Sequence, residues 1–294
     1  MKRIIITTVL MLAVSAGAAH SKIWRLNPAG TGDAPTIQAA VGAAASGDAI
    51  LLEPGVYYEK DILIDGKNLA IDQTGSKAVL VSPTPGSGVG FTIRNVTAAF
   101  TLNSITFRGF GTAVSVESGS PYVNWIVIKA CGIGLLVSGA ATAPTMSYTL
   151  VDSCSTGIDV QGGGVFSLSN ETIVNCSVGA LFAGGSPTLR WSIVASCGTG
   201  VSCSGSPTLT CNDLWNNGAN YGGCSAGPTD FTTDPIFCFL TAPSPDLYYL
   251  HDSSPCWTGA NPCSKKIGAF VSRTGCTGTS VRTATWGAIK AMYR

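Results

Sequence analysis

The chain has 294 residues and carries 17 Lys and Arg against 16 Asp and Glu, a formal net charge of +1. Charged residues make up only 11%, which excludes the clustered basic surface that nucleic-acid binding requires, and a hydrophobic share of 45% excludes a disordered chain. The length allows one elongated domain or two compact ones. Short runs of Val, Ile and Thr between Gly and Ser favour strands joined by tight turns.

The first residues predict a secretory signal peptide over residues 1–21. Lys2 and Arg3 form a charged start, an apolar stretch runs from Ile4 to Val14, and small residues near Ala19 offer a cleavage site. The alternative is a membrane anchor, but the apolar run is shorter than the ~20 residues that a span needs. We therefore expect an exported chain with no transmembrane span in its mature form.

A short helix is predicted from Thr36 to Ala45, because its apolar residues recur at helical spacing and form one face. These residues are Ile37, Ala40, Val41 and Ala44. Gly47-Asp48 then turns into a first strand, Ala49 to Leu52. We expect the helix to cover the open end of a sheet, whose unpaired strand edges would otherwise aggregate.

Between residues 48 and 220 the sequence repeats, with three short extended runs in each unit. The repeat is anchored at intervals of 21, 23, 22, 21 and 20 residues by Phe110, Cys131, Cys154, Cys176, Cys197 and Asn217. A period of this length, with strands and without a helix in each unit, is typical of a solenoid in which like residues stack on successive coils. The segment has room for about eight coils.

The four anchor cysteines, Cys131, Cys154, Cys176 and Cys197, are expected to form an inward ladder on successive coils. Sulfurs stacked in this way act more often as small apolar groups than as disulfides. A zinc site is the alternative, but ligands on one line do not surround an ion tetrahedrally. We therefore predict no metal site and no cofactor.

The segment TIQAAVGAAASGDAILLEPGVYYEKDILIDGKNLAI, residues 36–71, resembles the opening of right-handed parallel β-helix proteins of the pectin-lyase-like superfamily, in their secreted bacterial form. The resemblance covers roughly residues 30–270. It implies an all-β fold: a single-stranded right-handed parallel β-helix with an N-terminal capping helix and an irregular, disulfide-rich C-terminal cap. Unrelated activities share this scaffold, so the resemblance implies a fold rather than a reaction.

The repeat ends after Asn217. The short motifs Asp-Pro-Ile-Phe, Ser-Pro and Ile-Gly-Ala-Phe that follow resemble the closing segment of secreted bacterial β-helix proteins. We expect the β-helix with its N-terminal cap over residues 22–235. A C-terminal cap that covers the last coil is expected over residues 236–276. A linker and a short tail follow over residues 277–294, and the tail is either a cell-surface sorting signal or a frayed helix resting on the rod.

The 11 cysteines agree with export, because disulfides persist outside the reducing cytoplasm, and their odd number leaves at least one thiol free or paired between chains. Six of them lie in irregular chain outside the ladder: Cys211, Cys224, Cys238, Cys256, Cys263 and Cys276. Six cysteines allow 15 connectivities. Our hypothesis among these is Cys211–Cys224, Cys238–Cys256 and Cys263–Cys276.

The catalytic sequence motifs of polysaccharide-cleaving β-helix enzymes are absent from the sequence. The galacturonan hydrolases of the resembling families carry Asn-Thr-Asp, Asp-Asp and Gly-His-Gly, and pectate lyases carry Arg-x-Pro-x-x-Arg; none of these occurs here. Glu59 lies in a Gly-x-Tyr-x-Glu motif that pectin methylesterases share, and we assign Glu59 to the opening turn rather than to catalysis. The other acids and histidines considered are scattered: Asp159, Glu171, Asp213, His20 and His251. No catalytic residue is predicted.

Two rows of the repeat are candidates for function. Lys129 and Asp152 stand two residues before consecutive cysteines, about 5 Å apart by backbone, and we interpret them as a surface ion pair rather than a catalytic pair. A second row lies six residues before the last five anchors of the repeat. It consists of Trp125, Tyr148, Asn170, Trp191 and Cys211. Exposed aromatic faces pack against sugar rings, and the alternative is a core or corner stack.

The sequence therefore predicts a secreted or cell-surface β-helix protein that is non-catalytic and has a binding or structural role. Its expected partner is a polysaccharide or another cell-surface component. The alternative is a carbohydrate-active enzyme, a lyase or a glycosidase, acting on acidic polysaccharide. Such an enzyme would bring two or three carboxylates, or an Arg or Lys with carboxylates, within hydrogen-bonding reach on one sheet.

Overall fold

The computed structural model describes residues 21–139, 143–162, 164–238 and 248–269. In these residues it has one helix, α1 (Ile37–Ala43), and 27 short strands. The strands are, in chain order, β1 (Ile23–Leu26), β2 (Ala49–Leu52), β3 (Gly55–Tyr58), β4 (Ile62–Asp65), β5 (Ala70–Gln73), β6 (Ala78–Val81), β7 (Val89–Arg94), β8 (Thr101–Asn103), β9 (Thr106–Arg108), β10 (Thr112–Val116), β11 (Tyr122–Asn124), β12 (Val127–Lys129), β13 (Ile133–Val137), β14 (Thr145–Ser147), β15 (Leu150–Asp152), β16 (Thr156–Val160), β17 (Ser167–Ser169), β18 (Thr172–Val174), β19 (Val178–Phe182), β20 (Thr188–Arg190), β21 (Ile193–Ala195), β22 (Thr199–Cys203), β23 (Thr208–Thr210), β24 (Asp213–Trp215), β25 (Ala219–Gly222), β26 (Phe237–Cys238) and β27 (Tyr249–Leu250).

Three parallel sheets run the length of the rod. The first sheet has the order β1-β2-β5-β8-β11-β14-β17-β20-β23, the second β3-β6-β9-β12-β15-β18-β21-β24, and the third β4-β7-β10-β13-β16-β19-β22-β25. Each successive group of three strands, from β2-β3-β4 to β23-β24-β25, is one coil, so the described residues form eight complete coils and β1 adds one strand. The prediction of a parallel β-helix of about eight coils is confirmed.

The N-terminal end is covered as the sequence predicts. The Thr36 hydroxyl accepts from the backbone N–H of Ala39 at 3.0 Å and caps α1, whose Ile37, Ala40 and Val41 face the core. The Glu59 carboxylate accepts from the N–H groups of Ile37 and Gln38, both at 2.8 Å. Glu59 is therefore held in the cap, where it satisfies two amides that have no partner inside the helix.

Strand β1 is an addition that the sequence pattern did not indicate. It pairs in parallel with β2, and the Asp48 carboxylate ties it down by accepting from the N–H of Lys22 at 2.8 Å and from Trp24 Nε1 at 3.1 Å. The same carboxylate accepts from the N–H of Ala45 after α1 at 3.0 Å. These hydrogen bonds lower the pKa of Asp48 and join the helix, β1 and β2 into one cap.

Two tight corners set the period of the repeat. At the corner between the first and second sheets, one residue in each of the last six coils takes a left-handed backbone: Ser104, Trp125, Tyr148, Asn170, Trp191 and Cys211. At the corner between the second and third sheets the equivalent residues are Ala130, Ser153, Asn175, Ser196 and Asn216. A left-handed residue turns the chain sharply in a single step, so the three strands of a coil fit into little more than 20 residues.

The inner rows of the three sheets form one continuous apolar core. Near the N-terminal end its bulk comes from Phe91, Phe107 and Phe110, whose rings meet edge to face at 5.6 and 6.3 Å. After Phe110 the same row continues with the four anchor cysteines, which are buried and not disulfide-bonded. The predicted inward cysteine ladder is thus confirmed.

The C-terminal part is irregular and disulfide-bonded, as predicted, but only a part of it covers the last coil. Phe231 lies over the last coil, where its N–H donates to the Asn212 carbonyl at 2.9 Å and its carbonyl accepts from the N–H of Leu214 at 3.0 Å. Residues 248–269, which we call the covering segment, instead pack against the outer face of the second sheet. Its buried residues Leu250, Cys256, Trp257 and Ile267 form a second apolar cluster with Val127, Leu150, Val174, Ile193 and Ala195. These five outward side chains of the sheet are apolar, which is why they need a cover.

The predicted disulfide pairing is wrong. Two of the bonds are Cys203–Cys224, between neighbouring coils, and Cys211–Cys263, between the first corner and the covering segment. Cys256 is a buried free thiol, which excludes Cys238–Cys256, and Cys238 is itself disulfide-bonded. The pairing follows from the path of the chain, because Cys263 is carried back along the rod to the corner at Cys211.

Some predictions fall on parts of the chain that the structure does not describe. The signal peptide, apart from its last residue, lies outside the described residues, as do Cys276 and the tail over residues 277–294. Within the described ranges, no helix has both the length and the apolar character that a membrane span requires.

Candidate ligand-binding surface

Three large aromatic residues occupy the left-handed corner between the first and second sheets. Trp125, Tyr148 and Trp191 have φ angles of 56°, 56° and 53°. A bulky side chain at positive φ is a backbone outlier that costs about 1–3 kcal/mol, whereas Asn tolerates the conformation. Asn170 holds the same position one coil after Tyr148, with φ of 58°. The aromatic residues are therefore not required by the turn.

Trp125 and Tyr148 form a stacked pair on the surface. Their ring centroids are 4.4 Å apart and their planes differ by 7°. Trp125 nevertheless remains 46% exposed. Tyr122, at the start of the strand that leads to Trp125, is also exposed. The alternative of a core stack is excluded, and the row lies at a corner.

Hydroxyl and amide side chains cover the outer face of the first sheet beside this pair. Its polar outward positions include Thr101, Asn103, Asn124, Thr145, Ser147, Ser167, Ser169, Thr188, Thr208 and Thr210. The Ser147 hydroxyl donates to Asn124 Oδ1 at 2.5 Å, and Asn124 Nδ2 donates to Asn103 Oδ1 at 3.5 Å. This polar face was not predicted, although its strands carry the alternating motifs Thr-x-Asn, Thr-x-Ser and Ser-x-Ser.

We call the combination of Trp125, Tyr148 and the outer face of β8, β11, β14 and β17 the corner surface. The two rings follow directly after the outward residues Asn124 and Ser147, so aromatic and polar groups are continuous. Equivalent positions recur at about 4.8 Å, the spacing of neighbouring strands. The corner surface therefore offers a repeating pattern of stacking and hydrogen-bonding groups along the rod.

Trp191 belongs to the same row but has a different environment. The Arg190 guanidinium lies 4.4 Å from its ring centroid and Lys265 Nζ lies 5.9 Å from it. The Trp191 carbonyl accepts from the N–H of Gly268 at 2.8 Å, and Asn170 Nδ2 donates to the Lys266 carbonyl at 2.8 Å. This half of the row anchors the covering segment.

Lys129 and Asp152 are neighbours, as predicted, but they are not a surface pair. Lys129 Nζ lies 3.5 Å from Asp152 Oδ2, and the two side chains are only 12% and 13% exposed. Asp152 Oδ1 also accepts from Asn175 Nδ2 at 2.9 Å and from the Tyr248 hydroxyl at 3.4 Å. Burial raises the pKa of Tyr248. The covering segment therefore places a phenol over the ion pair, which the sequence pattern did not reveal.

This network contains one carboxylate, whereas hydrolysis of a glycosidic bond by the common mechanism uses two. Asp159 lies on the third sheet and hydrogen-bonds to Gln161 Nε2 at 2.8 Å, so it belongs to another face of the rod. No group of three or more His, Cys, Asp or Glu side chains within the described part of the chain is arranged to hold a metal ion.

Two other acids are buried and serve the backbone. Glu171 Oε2 accepts from the N–H of Thr149 at 2.9 Å at the first corner, and burial raises the pKa of Glu171 to about 8. Asp213 accepts from the N–H of Thr233 at 3.0 Å and from the Cys256 thiol at 3.2 Å. Burial raises the pKa of Asp213 to about 7. As predicted, these acids lie in different registers and do not converge.

The strand pairing defines the class of protein as a parallel β-helix, in agreement with the resemblance found at residues 36–71. No protein-family model matches the chain, and no curated protein does. Among solved structures, the crystal structure of the pectate lyase Pel9A is similar, with a TM-score of 0.45 and 16% sequence identity over 72% of this chain and 73% of that chain. Similarity at this level transfers no activity or substrate.

Proposed function

We propose that this chain is an exported, non-catalytic β-helix protein that binds a polysaccharide along its corner surface. The observation that carries the proposal is the placement of Trp125 and Tyr148 at left-handed corner positions, where Asn would serve the fold at lower cost. Strained residues that persist on a surface are a recurrent feature of binding sites. Trp125 is exposed as well as strained, so its side chain lies at the surface.

The chemistry of the corner surface suits a sugar polymer. Aromatic rings pack against the apolar faces of pyranose rings, and Thr, Ser and Asn side chains hydrogen-bond to sugar hydroxyls in either direction. Small molecules are usually bound in single concave pockets, whereas the pattern of this surface repeats from coil to coil. A linear polymer lying along the rod would meet the same pattern repeatedly.

The test compares two tryptophans of the same row. Trp125→Asn should weaken polysaccharide binding by roughly tenfold or more, since about 1.4 kcal/mol of lost contact is tenfold in affinity. Trp191→Asn changes the same residue type at the same backbone conformation, but outside the corner surface, and should leave binding unchanged. Affinity electrophoresis against a panel of neutral and acidic polysaccharides measures both. Equal losses in the two variants, or none in either, would contradict the proposal.

The unfolding free energy separates a binding role for Trp125 from a structural one. Trp125→Asn removes about 1–3 kcal/mol of backbone strain and loses a ring stack of about 0.5–1.5 kcal/mol. We expect no net destabilisation. A loss of several kcal/mol by chemical denaturation would assign Trp125 to the fold instead.

An enzyme that cleaves acidic polysaccharide is the alternative, and its best-placed residues are Lys129, Asp152, Asn175 and Tyr248. The same polysaccharide panel is examined for new reducing ends and unsaturated products, with and without calcium. Turnover that Asp152→Asn abolishes would replace the binding proposal. Binding without products supports it.

Export is part of the proposal. The predicted signal peptide over residues 1–21 supports it, as do the disulfides Cys203–Cys224 and Cys211–Cys263, because such bonds persist in oxidising compartments. Fractionation of the producing cell, with the mature N-terminus sequenced, tests it. Retention of residues 1–21 on a cytoplasmic product would contradict it.

A further inference from the structure

The four ladder cysteines stay as thiols in a chain that forms disulfides close by. Cys131, Cys154, Cys176 and Cys197 are 5%, 4%, 3% and 3% exposed. Cys203, on the strand that follows Cys197, is disulfide-bonded to Cys224. The ladder thiols are therefore adjacent to one another and yet unbonded.

Their shared geometry accounts for this. Each thiol donates to the carbonyl two residues earlier, at 3.4 Å for Cys131, 3.7 Å for Cys154, 3.3 Å for Cys176 and 3.5 Å for Cys197. The four side chains thus point the same way, one strand spacing of about 4.8 Å apart. A disulfide needs Cβ atoms about 3.5–4.5 Å apart, so parallel neighbours at this spacing do not meet it.

The ladder has two defined ends. At one end the N–H of Phe110 donates to Cys131 Sγ at 3.4 Å, and at the other Asn217 Oδ1 accepts from the N–H of Cys197 at 2.9 Å. The four sulfurs therefore form one row between Phe110 and Asn217.

We propose that adjacent ladder cysteines bind Cu(I), one ion in linear coordination between two thiolates. Soft thiolate ligands select Cu(I), and a linear sulfur–copper–sulfur bridge spans about one strand spacing. Zinc requires a tetrahedral ligand set that a line does not provide. On binding, two S–H bonds break, two S–Cu bonds form and two protons pass to solvent, without transfer of electrons.

The experiment uses two double variants of the full-length chain that differ only in adjacency. Cys131→Ser/Cys154→Ser keeps the neighbours Cys176 and Cys197, whereas Cys154→Ser/Cys197→Ser keeps Cys131 and Cys176, which are two coils apart. Cu(I) is titrated without oxygen against a colorimetric Cu(I) chelator. We expect the first variant to bind one ion and the second to bind at least 100-fold more weakly. Cys256→Ser, which removes the free thiol outside the ladder, should behave as wild type.

Proton release and X-ray absorption test the coordination in the wild-type chain, which does not depend on the folding of any variant. Two protons per Cu(I) and two sulfur neighbours are expected. Equal affinities in folded double variants, nitrogen or oxygen neighbours at the copper, or failure of the wild-type chain to compete with the chelator would overturn the proposal.

Discussion

At the scale of single residues, the corners show most clearly what the fold requires and what it does not. Asn170 and Ser104 make the same left-handed turn as Trp125 and Tyr148. A glycine, asparagine or serine at this position is explained by the turn alone. A tryptophan is not, and since Trp191 contacts the covering segment, this contrast within one row supports the proposed binding role of Trp125 in particular.

Glu171 makes a residue-scale prediction about pH. Its pKa is 4.5 in a model peptide and about 8 in the fold, because burial disfavours the carboxylate. The folded state therefore holds a proton that the unfolded state has lost, and the contribution of Glu171 to stability falls as pH rises from 4.5 to 8. Glu171→Gln keeps an acceptor for the Thr149 N–H without the ionisation.

We expect Glu171→Gln to be more stable than wild type at pH 8 and to lose most of that advantage at pH 5. Urea unfolding at the two values measures this, and Glu117→Gln, a change on the surface, is the matched control. A difference between Glu171→Gln and wild type that is the same at both pH values would contradict the buried, protonated state of Glu171.

At the scale of elements, the covering segment is the feature that sets this rod apart from a bare solenoid. Ile267 is fully buried against the second sheet, and Cys263 is bonded to Cys211. Ile267→Ala removes buried apolar volume, a change that typically costs about 2–5 kcal/mol. Since the solenoid keeps its own core, we expect the loss to fall on the docking of the covering segment.

Limited proteolysis measures that loss. Ile267→Ala should be cleaved within residues 248–269 faster than wild type, while the coils remain resistant and the far-ultraviolet circular dichroism is unchanged. Leu63→Ala, on an exposed strand position, should behave as wild type. Cooperative unfolding of the whole rod in Ile267→Ala would show that the segment is part of the core rather than a cover.

The elements that could be predicted from the sequence are those that repeat. The cysteine anchors and the apolar residues three positions before them define coils because stacked coils demand like residues at like positions. The cover over the second sheet could not be predicted in this way. Val127, Leu150 and Ile193 face outwards, yet they are as apolar as the inward Ile128 and Val151, so the sequence pattern does not separate the two faces.

The disulfide pairing and the polar network around Asp152 could not be predicted from the repeat for a related reason. Cys263 meets Cys211, and Tyr248 meets Asp152, only because the chain doubles back outside the coils. Nothing periodic in the sequence encodes that return. The aromatic row, in contrast, was found from spacing alone, and the structure added which of its members are exposed and which hold the covering segment.

At the scale of the whole molecule, three parallel sheets give the rod three long outer faces with different properties. The covering segment packs over the second face from β12 to β21, whereas the first, with its aromatic corner, carries partly exposed hydroxyl and amide groups. Because each coil repeats the pattern at about 4.8 Å, a ligand that follows the rod gains contacts with every added unit.

The measurement that tests this account most directly is the affinity of the purified chain for a series of oligosaccharides of increasing length, taken from whichever polysaccharide it binds. We predict that affinity rises with each added sugar over several units, that no products form, and that Trp125→Asn removes the rise. Affinity that is complete with one or two sugars, or that is indifferent to Trp125, would contradict a polymer bound along the corner surface.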